Sequence, residues 1–468
     1  MPDLDSLSRD DLIGLILELQ QQIEDLRKQN EDLRRKDKRS AAPFSKGERK
    51  KNPKRPGRKP GQGEFSRRQG PPADASGGPP VDVPVEETRC PFCGGRLERE
   101  EPEEASVTDM PAAPRPEASL FKVHICRCQN CHRRVRGKHP EVAADQYGAT
   151  AHRLGPRIKA MAHSLHYGHG VPVRRLPAIL REMTGIAVTQ SAITQDALKQ
   201  AEGPVGTAYR ELREQVRQAP VTYTDDTGWR VGGDGAYRMA FDTDQQTVYQ
   251  IRRQHGNEQV RELIPGDYTG TLVTDRFSSY EAEELAGVEQ HKCLSHLIRN
   301  VVEVVESKTG RAKMFGSELK ALLQNANELW RQQRAGMISG YADRAEQIEQ
   351  HLTYLLRPRR LRDADNQRLL DGIGLQHDRQ RVLNFLYNPE VEPTNNRAER
   401  SLRPAVIARK VSHCSKNERG SEAFAAFTSV ARTTVKKGVA TVTDAIHRLI
   451  KGLLDRIRSG GQLAGSCG

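Results

Sequence analysis

The chain has 468 residues, of which 36 % are hydrophobic and eight are cysteines, and a formal net charge of +13. This length predicts two to four domains, and the low apolar share puts part of the chain outside packed cores. No run reaches the ~18 apolar residues of a membrane helix, and the acidic start, residues 1–6, lacks a secretory hydrophobic region. The expectation is therefore a cytoplasmic protein without a membrane partner, whose thiols serve metal rather than a disulfide framework.

The charge is concentrated. Residues 34–68 hold 15 Lys or Arg against three acids, which leaves about +1 for everything else. Such an arm suits a polyanion, nucleic acid first, because Lys and Arg that neutralise phosphates release condensed counterions. A solubilising linker is the alternative.

Ahead of the arm, Leu12, Leu19, Leu26 and Leu33 recur every seven residues with Ile16, Ile23 and Asn30 between them. Leu at d with β-branched residues and one Asn at a predicts a parallel coiled coil, hence a homodimer or a higher oligomer. An amphipathic helix packed on its own chain is the other reading. Residues 40–84 carry 16 Pro or Gly and are expected to be a linker. Within it, Arg55, Arg58 and Lys59 stand in Lys-Arg-Pro-Gly-Arg-Lys-Pro-Gly, a segment suited to a minor groove or to nonspecific phosphate contact.

Cys90-Pro-Phe-Cys93 and Cys128-Gln-Asn-Cys131 follow. Two Cys-x-x-Cys knuckles supply four thiolates for a tetrahedral Zn²⁺, and the alternating Phe121, Val123 and Ile125 predict a strand, hence a zinc ribbon. A redox pair is the alternative. Residues 151–215 read as helical. Leu176, Ile179, Leu180 and Met183 form an apolar face, Gly185 breaks it, and Thr189 is placed to cap a second helix. That pattern fits a helix-turn-helix with Gln190, Ser191, Thr194 and Gln195 outward. It also fits a plain helical hairpin. His163, His166 and His169, three residues apart, are read as packed or solvated rather than as a ligand set.

From residue 219 the hydrophobic period changes to two, with strands predicted at 221–225, 237–241, 247–251, 271–275 and 288–293, a helix at 255–263 and almost continuous helix over 294–385. Strands followed by helices indicate α/β. Asp225 and Asp275 fall where the alternation calls for core residues, at predicted strand ends. A buried carboxylate there needs a partner, and two on adjacent strands would suit Mg²⁺. Each Asp read singly is an ordinary turn or cap residue. Asn396 is expected to cap a helix with Glu399 in its first turn, among Arg397, Arg400 and Arg403.

Together these motifs resemble the transposases of the insertion-sequence-66 family, a DDE-type group. The resemblance runs from about residue 7 to about 440. It is carried by the heptads, the Arg-Lys-Pro-Gly segment, the paired Cys-x-x-Cys, Thr224-Asp225-Asp226-Thr227-Gly228-Trp229-Arg230, Thr274-Asp275-Arg276-Phe277-Ser278-Ser279-Tyr280, Cys293-Leu294-Ser295-His296 and Asn395-Asn396-Arg397-Ala398-Glu399-Arg400. It implies an RNase H-like mixed-sheet core with a helical insertion. It further implies a catalytic triad of Asp225, Asp275 and Glu399 holding Mg²⁺ or Mn²⁺, and cleavage of DNA at element ends followed by 3′-OH strand transfer. Asp226 stands where the family has Glu, and Asp226, Cys293 and His296 are expected to support the site. Arg174, Arg175, Arg397, Arg400, Arg403 and Lys410 are expected on DNA, with small accessory proteins as further partners and a nucleoid-associated location.

The expected fold class is multidomain α/β. Its layout is a coiled coil (1–36), a basic linker (37–85), a zinc ribbon (86–140), a helical DNA-binding region (141–217), a catalytic core in two parts (218–300 and 386–440) around an insertion (301–385), and a terminal helix and tail (441–468). A catalytically silent DNA-binding regulator and a nuclease that cuts without joining are the competing functions.

Overall fold

The computed structural model describes residues 20–24, 89, 91–96, 116–137, 154–412, 414–438 and 440–458. Of the heptad stretch, residues 20–24 are helical and exposed. The rest of it, the basic segment with Arg55, Arg58 and Lys59, and Cys90 lie outside the described residues. No helix among the described residues is long and apolar enough to cross a membrane.

Two short antiparallel strands, β1 (Ile125–Arg127) and β2 (Arg134–Arg136), make a hairpin around Cys128 and Cys131. The helical region then holds α1 (Pro156–His163), α2 (Leu176–Thr184), α3 (Gln190–Glu202) and α4 (Pro204–Arg217). Gly185 ends α2 at φ +72°, a left-handed conformation that glycine adopts without a Cβ clash. The Thr189 side chain accepts the Ala192 amide at 3.1 Å and starts α3. Ala162, Leu176, Leu180 and Ile193 form a small core between these helices. His163 and His166 are spent on packing: His163 bonds Asp196 and His166 Nδ1 lies 2.7 Å from the Val171 carbonyl.

The centre of the protein is a five-stranded mixed sheet. Its strands are β3 (Val221–Val231), β4 (Asp234–Asp242), β5 (Thr247–Arg252), β6 (Thr271–Thr274) and β7 (Gln290–Lys292), in the order β5-β4-β3-β6-β7. β3, β4 and β5 run antiparallel, and β6 and β7 add on parallel to β3. Both faces are covered, which is why all four residues of β6 are buried. Val221, Tyr223 and Val273 pack toward α6 (Leu294–Glu306) and the helices beyond it. Met239, Phe241, Val248 and Leu272 share a core with Val205, Leu212 and Val216 of α4, and with Val442 and Ile446 of α12 (Val442–Arg458). The last helix of the helical region, α4, thus shares a hydrophobic core with one face of the sheet.

α7 (Met314–Arg334), α8 (Tyr341–Leu356) and α9 (Ala364–Asp378) form the insertion, packing Leu323, Leu352 and Ile373 against Leu297 and Val301 of α6. The chain returns through α10 (Asn396–Ser412) and α11 (Glu418–Lys437). α11 closes the exposed edge of β5. The Thr247 amide donates to Thr433 Oγ1 at 3.1 Å and the Tyr249 amide to Ser429 Oγ at 2.9 Å, so hydroxyl groups replace the missing strand.

The expected end of the first strand is corrected. β3 does not stop at Asp225 but continues to Val231, paired throughout with β4 down to the Gly232-Gly233 turn. Asp and Gly disfavour strands in isolation, and the cross-strand ladder with β4 overrides that preference. What ends near Asp225 is the parallel pairing, because β6 matches β3 only over Val221–Tyr223. The helix expected over 255–263 is shorter, α5 (Asn257–Arg261).

Candidate active site

Asp225 sits where the parallel partner of β3 departs, and Asp275 follows the last residue of β6. Glu399 lies in the first turn of α10. The loop before α10 is tied directly to the end of the β3–β6 pairing at Thr224, and to β6 only through Cys293 and Leu294. The Leu294 amide donates to the Pro393 carbonyl at 2.8 Å and the Cys293 amide to the Thr274 carbonyl at 2.7 Å. Asn395, fully buried, donates from Nδ2 to the Thr224 carbonyl at 2.6 Å, and the Glu399 amide donates to the Asn395 carbonyl at 3.2 Å. Asn395 therefore fixes the start of α10 against the end of the β3–β6 pairing, and Asn396, expected as the cap, is the first helical residue. The sequence reading did not single out Asn395. Its signal is a buried Asn next to a helix start, visible only once the facing carbonyl is known.

The carboxylates interact. Burial pushes the Asp225 carboxyl up to about 7, and the charges of Asp226, Asp275 and Glu399 add to that against the hydrogen bond from the Asp226 amide. That amide lies 2.9 Å from Asp225 Oδ1, and Asp275 Oδ1 accepts the Phe277 amide at 2.9 Å. Asp226 points to the other side of the strand, where His255 Nδ1 hydrogen-bonds its Oδ2. Burial raises Asp226 too, with the charge and hydrogen bond of His255 pulling the other way and the Asp275 charge adding to the rise. His255 is the second residue missed by the sequence reading.

Cys293 and His296 flank Glu399 from α6. The Asn395 amide donates to Cys293 Sγ at 3.1 Å, and His296 Nε2 stands 3.9 Å from Glu399 Oε1. Against the upward pull of burial, the His296 ring and the Asn395 amide hold the Cys293 thiol below its ordinary range. The imidazole is raised in turn by its contact with that thiol. Near Asp275, Lys292 is fully buried; its Nζ is ion-paired with Glu281 Oε1 at 2.6 Å and donates to Gln290 Oε1 at 2.9 Å and Thr274 Oγ1 at 3.2 Å. Burial lowers it and Glu281 opposes that shift.

Among the described residues no three His, Cys, Asp or Glu side chains converge tightly enough to hold a metal ion. The donor chemistry nonetheless fits a hard divalent cation. Asp225, Asp275 and Glu399 supply oxygen ligands only, and Asp225 carries an ionisation cost that a cation between the carboxylates would remove. In the small hairpin, Cys93 lies in a turn closed by the Arg89–Arg96 bridge, and Cys128 and Cys131 in the turn between β1 and β2. Backbone amides of Cys131 and Asn130 lower the Cys128 thiol. Both turns fit thiolate ligation.

The basic residues divide. Arg400, Arg403 and Lys410 are exposed on one face of α10, and Arg174 and Arg175 are exposed at the entry to α2. Arg397 is engaged within the protein, ion-paired with Asp244, near Glu392 and over the Tyr223 ring at 5.2 Å.

A buried ion cluster orients α3. Asp196 Oδ2 accepts His163 Nε2 at 2.8 Å, and Asp196 Oδ1 lies 2.7 Å from Lys159 Nζ. Burial by itself would raise Asp196, but His163 and Lys159 outweigh it and hold the carboxyl at about 2. Its unfolded value is about 3.9, so the stabilisation is complete above about pH 4 and is lost as pH falls through about 2, an effect on the order of 2 kcal/mol. Urea unfolding of the wild type and Asp196→Asn should show a constant gap above pH 4 that narrows toward pH 2. A gap independent of pH would contradict the pairing.

No curated protein matches the chain. The sequence model described as the Transposase IS66 family matches residues 152–423, from the start of the helical region through the sheet and insertion into α11. That span contains Asp225, Asp275, Glu399 and the Cys293–His296 pair, and on it the chain belongs to the IS66 family of transposases.

Proposed function

We propose that this transposase cuts the phosphodiester backbone at element ends and joins the freed 3′-OH to target DNA, with Asp225, Asp275 and Glu399 as catalytic residues on an RNase H-like core. The observation that carries the reading is that hydrogen bonds from Asn395 to Thr224, from Cys293 to Thr274 and from Leu294 to Pro393 draw together the segments bearing Asp225, Asp275 and Glu399, which lie 50 and 124 residues apart in sequence. The strand order, three antiparallel strands followed by two parallel ones, supports the fold assignment.

Asp225, Asp275 and Glu399 would hold Mg²⁺ or Mn²⁺, which supplies a Lewis acid and a lowered water pKa for in-line displacement. The chain's own part is positional. Asn395 sets Glu399 against β3, His255 withdraws Asp226 from the ligand set and so leaves Asp225 to it, and the Cys293–His296 pair backs Glu399. Arg400, Arg403 and Lys410 would track flanking phosphates beside the carboxylates, while Arg397 serves chiefly to anchor α10. The helix-turn-helix, with Arg174 and Arg175 at its entry, and a zinc ribbon on Cys90, Cys93, Cys128 and Cys131 would bind the element ends. The heptads would pair protomers so that two ends meet.

The test is strand transfer by purified protein on the terminal DNA that flanks its own gene. Cleavage and joining that need Mg²⁺ and vanish with chelator support the reading. DNA binding indifferent to chelation, with no cleavage, would make it a silent regulator, and cutting without joining would make it a nuclease.

A further inference from the structure

A pile of three rings stands beside the carboxylates. The His255 imidazole lies on the Tyr237 ring at 3.6 Å with the planes 6° apart, and its other side faces Phe277 at 4.6 Å and 29°. The pile is held rigidly. His255 bonds Asp226, the Ser279 hydroxyl donates to the His255 carbonyl at 2.6 Å, and the Phe277 amide bonds Asp275. Phe277 ends the pile among the described residues and keeps 38 % of its surface exposed. A single exposed aromatic needs no explanation. An exposed ring that caps an ordered stack, with its own amide on a candidate catalytic carboxylate, is a surface prepared for one more flat ring.

We propose that the Tyr237–His255–Phe277 stack is a nucleobase platform, on which Phe277 receives the unpaired base of the nucleotide next to the scissile phosphate. The inference rests on the DNA-cleavage reading above. The phosphates of a duplex lie outside its base stack, so the platform serves a nucleotide whose base has already left the helix at the cleavage position. Every base has a π-face, so an aromatic surface accepts it without regard to sequence. The platform would offset the stacking lost by such an unpaired base.

The experiment uses the full chain and a duplex of the terminal DNA flanking its gene, with 2-aminopurine as a single unpaired nucleotide at the cleavage position and chelator present to prevent reaction. Unpaired 2-aminopurine is bright and is quenched by stacking. Wild type and Phe277→Tyr should quench it on binding. Phe277→Leu, which keeps an apolar side chain against His255, should not, and its affinity for this DNA should fall roughly ten-fold while that for fully paired DNA is unchanged. Equal quenching by the leucine variant, or none by the wild type, overturns the platform. Wild-type cleavage in Mg²⁺ is scored in parallel. Cleavage with Phe277-independent quenching removes the platform alone, and Phe277-dependent quenching without cleavage removes the proposed chemistry and leaves the platform standing.

Discussion

Asp225→Asn, Asp275→Asn and Glu399→Gln are each expected to lower DNA cleavage by at least ~10³-fold with DNA binding retained, whereas Asp226→Asn should cost far less. A carboxylate that holds a catalytic cation contributes several kcal/mol of charge stabilisation in the transition state, and each ~1.4 kcal/mol is a factor of ten in rate. The asymmetry between the adjacent aspartates comes from the sheet. Successive side chains on β3 face opposite sides; both aspartates feel the Asp275 charge, but only Asp226 is also bonded to His255, whose charge opposes that repulsion. A second measurement separates ligation from structure. In wild type, divalent cation should raise the unfolding temperature, because the bound ion offsets the burial and the neighbouring negative charges that hold Asp225 up at about 7. The shift should largely disappear in Asp225→Asn and persist in Asp226→Asn. Equal loss of cleavage and of metal response in both aspartate variants would show that the assignment of ligand and bystander is wrong.

The second large effect is on stability. Glu281 holds three cations: Lys292 at 2.6 Å, Arg379 at 2.8 Å and Arg381 at 3.0 Å. Glu281→Ala would leave Lys292, fully buried, with only the neutral acceptors Gln290 and Thr274. Removing one partner of a buried pair strands the other charge, a cost of about 3 kcal/mol or more. Lys292→Met should cost much less, since Glu281 keeps Arg379 and Arg381 and the new side chain is apolar. Urea unfolding of the two variants measures the difference, and equal costs would show that no stranded charge is involved. Because Lys292 also bonds the hydroxyl of Thr274, the residue before Asp275, Glu281→Ala should disturb cleavage as well. Arg379 and Arg381 follow α9 directly, so the same carboxylate ties the insertion to the floor of the site.

Much of this was legible in the chain alone. The change of hydrophobic period at residue 219 located the sheet, because alternation is a local property that neighbours in sequence share. Gly185 and Thr189 marked the turn between α2 and α3 because a left-handed break and a side-chain cap are satisfied within four residues. Asp225 and Asp275 were legible as carboxylates where core residues were expected, and the family motifs grouped them with Glu399.

The tertiary structure alone decided the rest, and the common reason is distance along the chain. The extension of β3 to Val231 depends on pairing with β4, which outweighs the weak strand preference of Asp225-Asp226-Thr227-Gly228. The partner of Asp226, His255, stands 29 residues away. The placement of Glu399 depends on a hydrogen bond from Asn395 to Thr224 across 171 residues. Arg397 and Arg400 are alike in sequence, yet the first meets Asp244 and the second faces solvent. Periodicity and caps are written locally. A buried polar group gets its meaning from the partner that satisfies it, and only the folded chain brings that partner into reach.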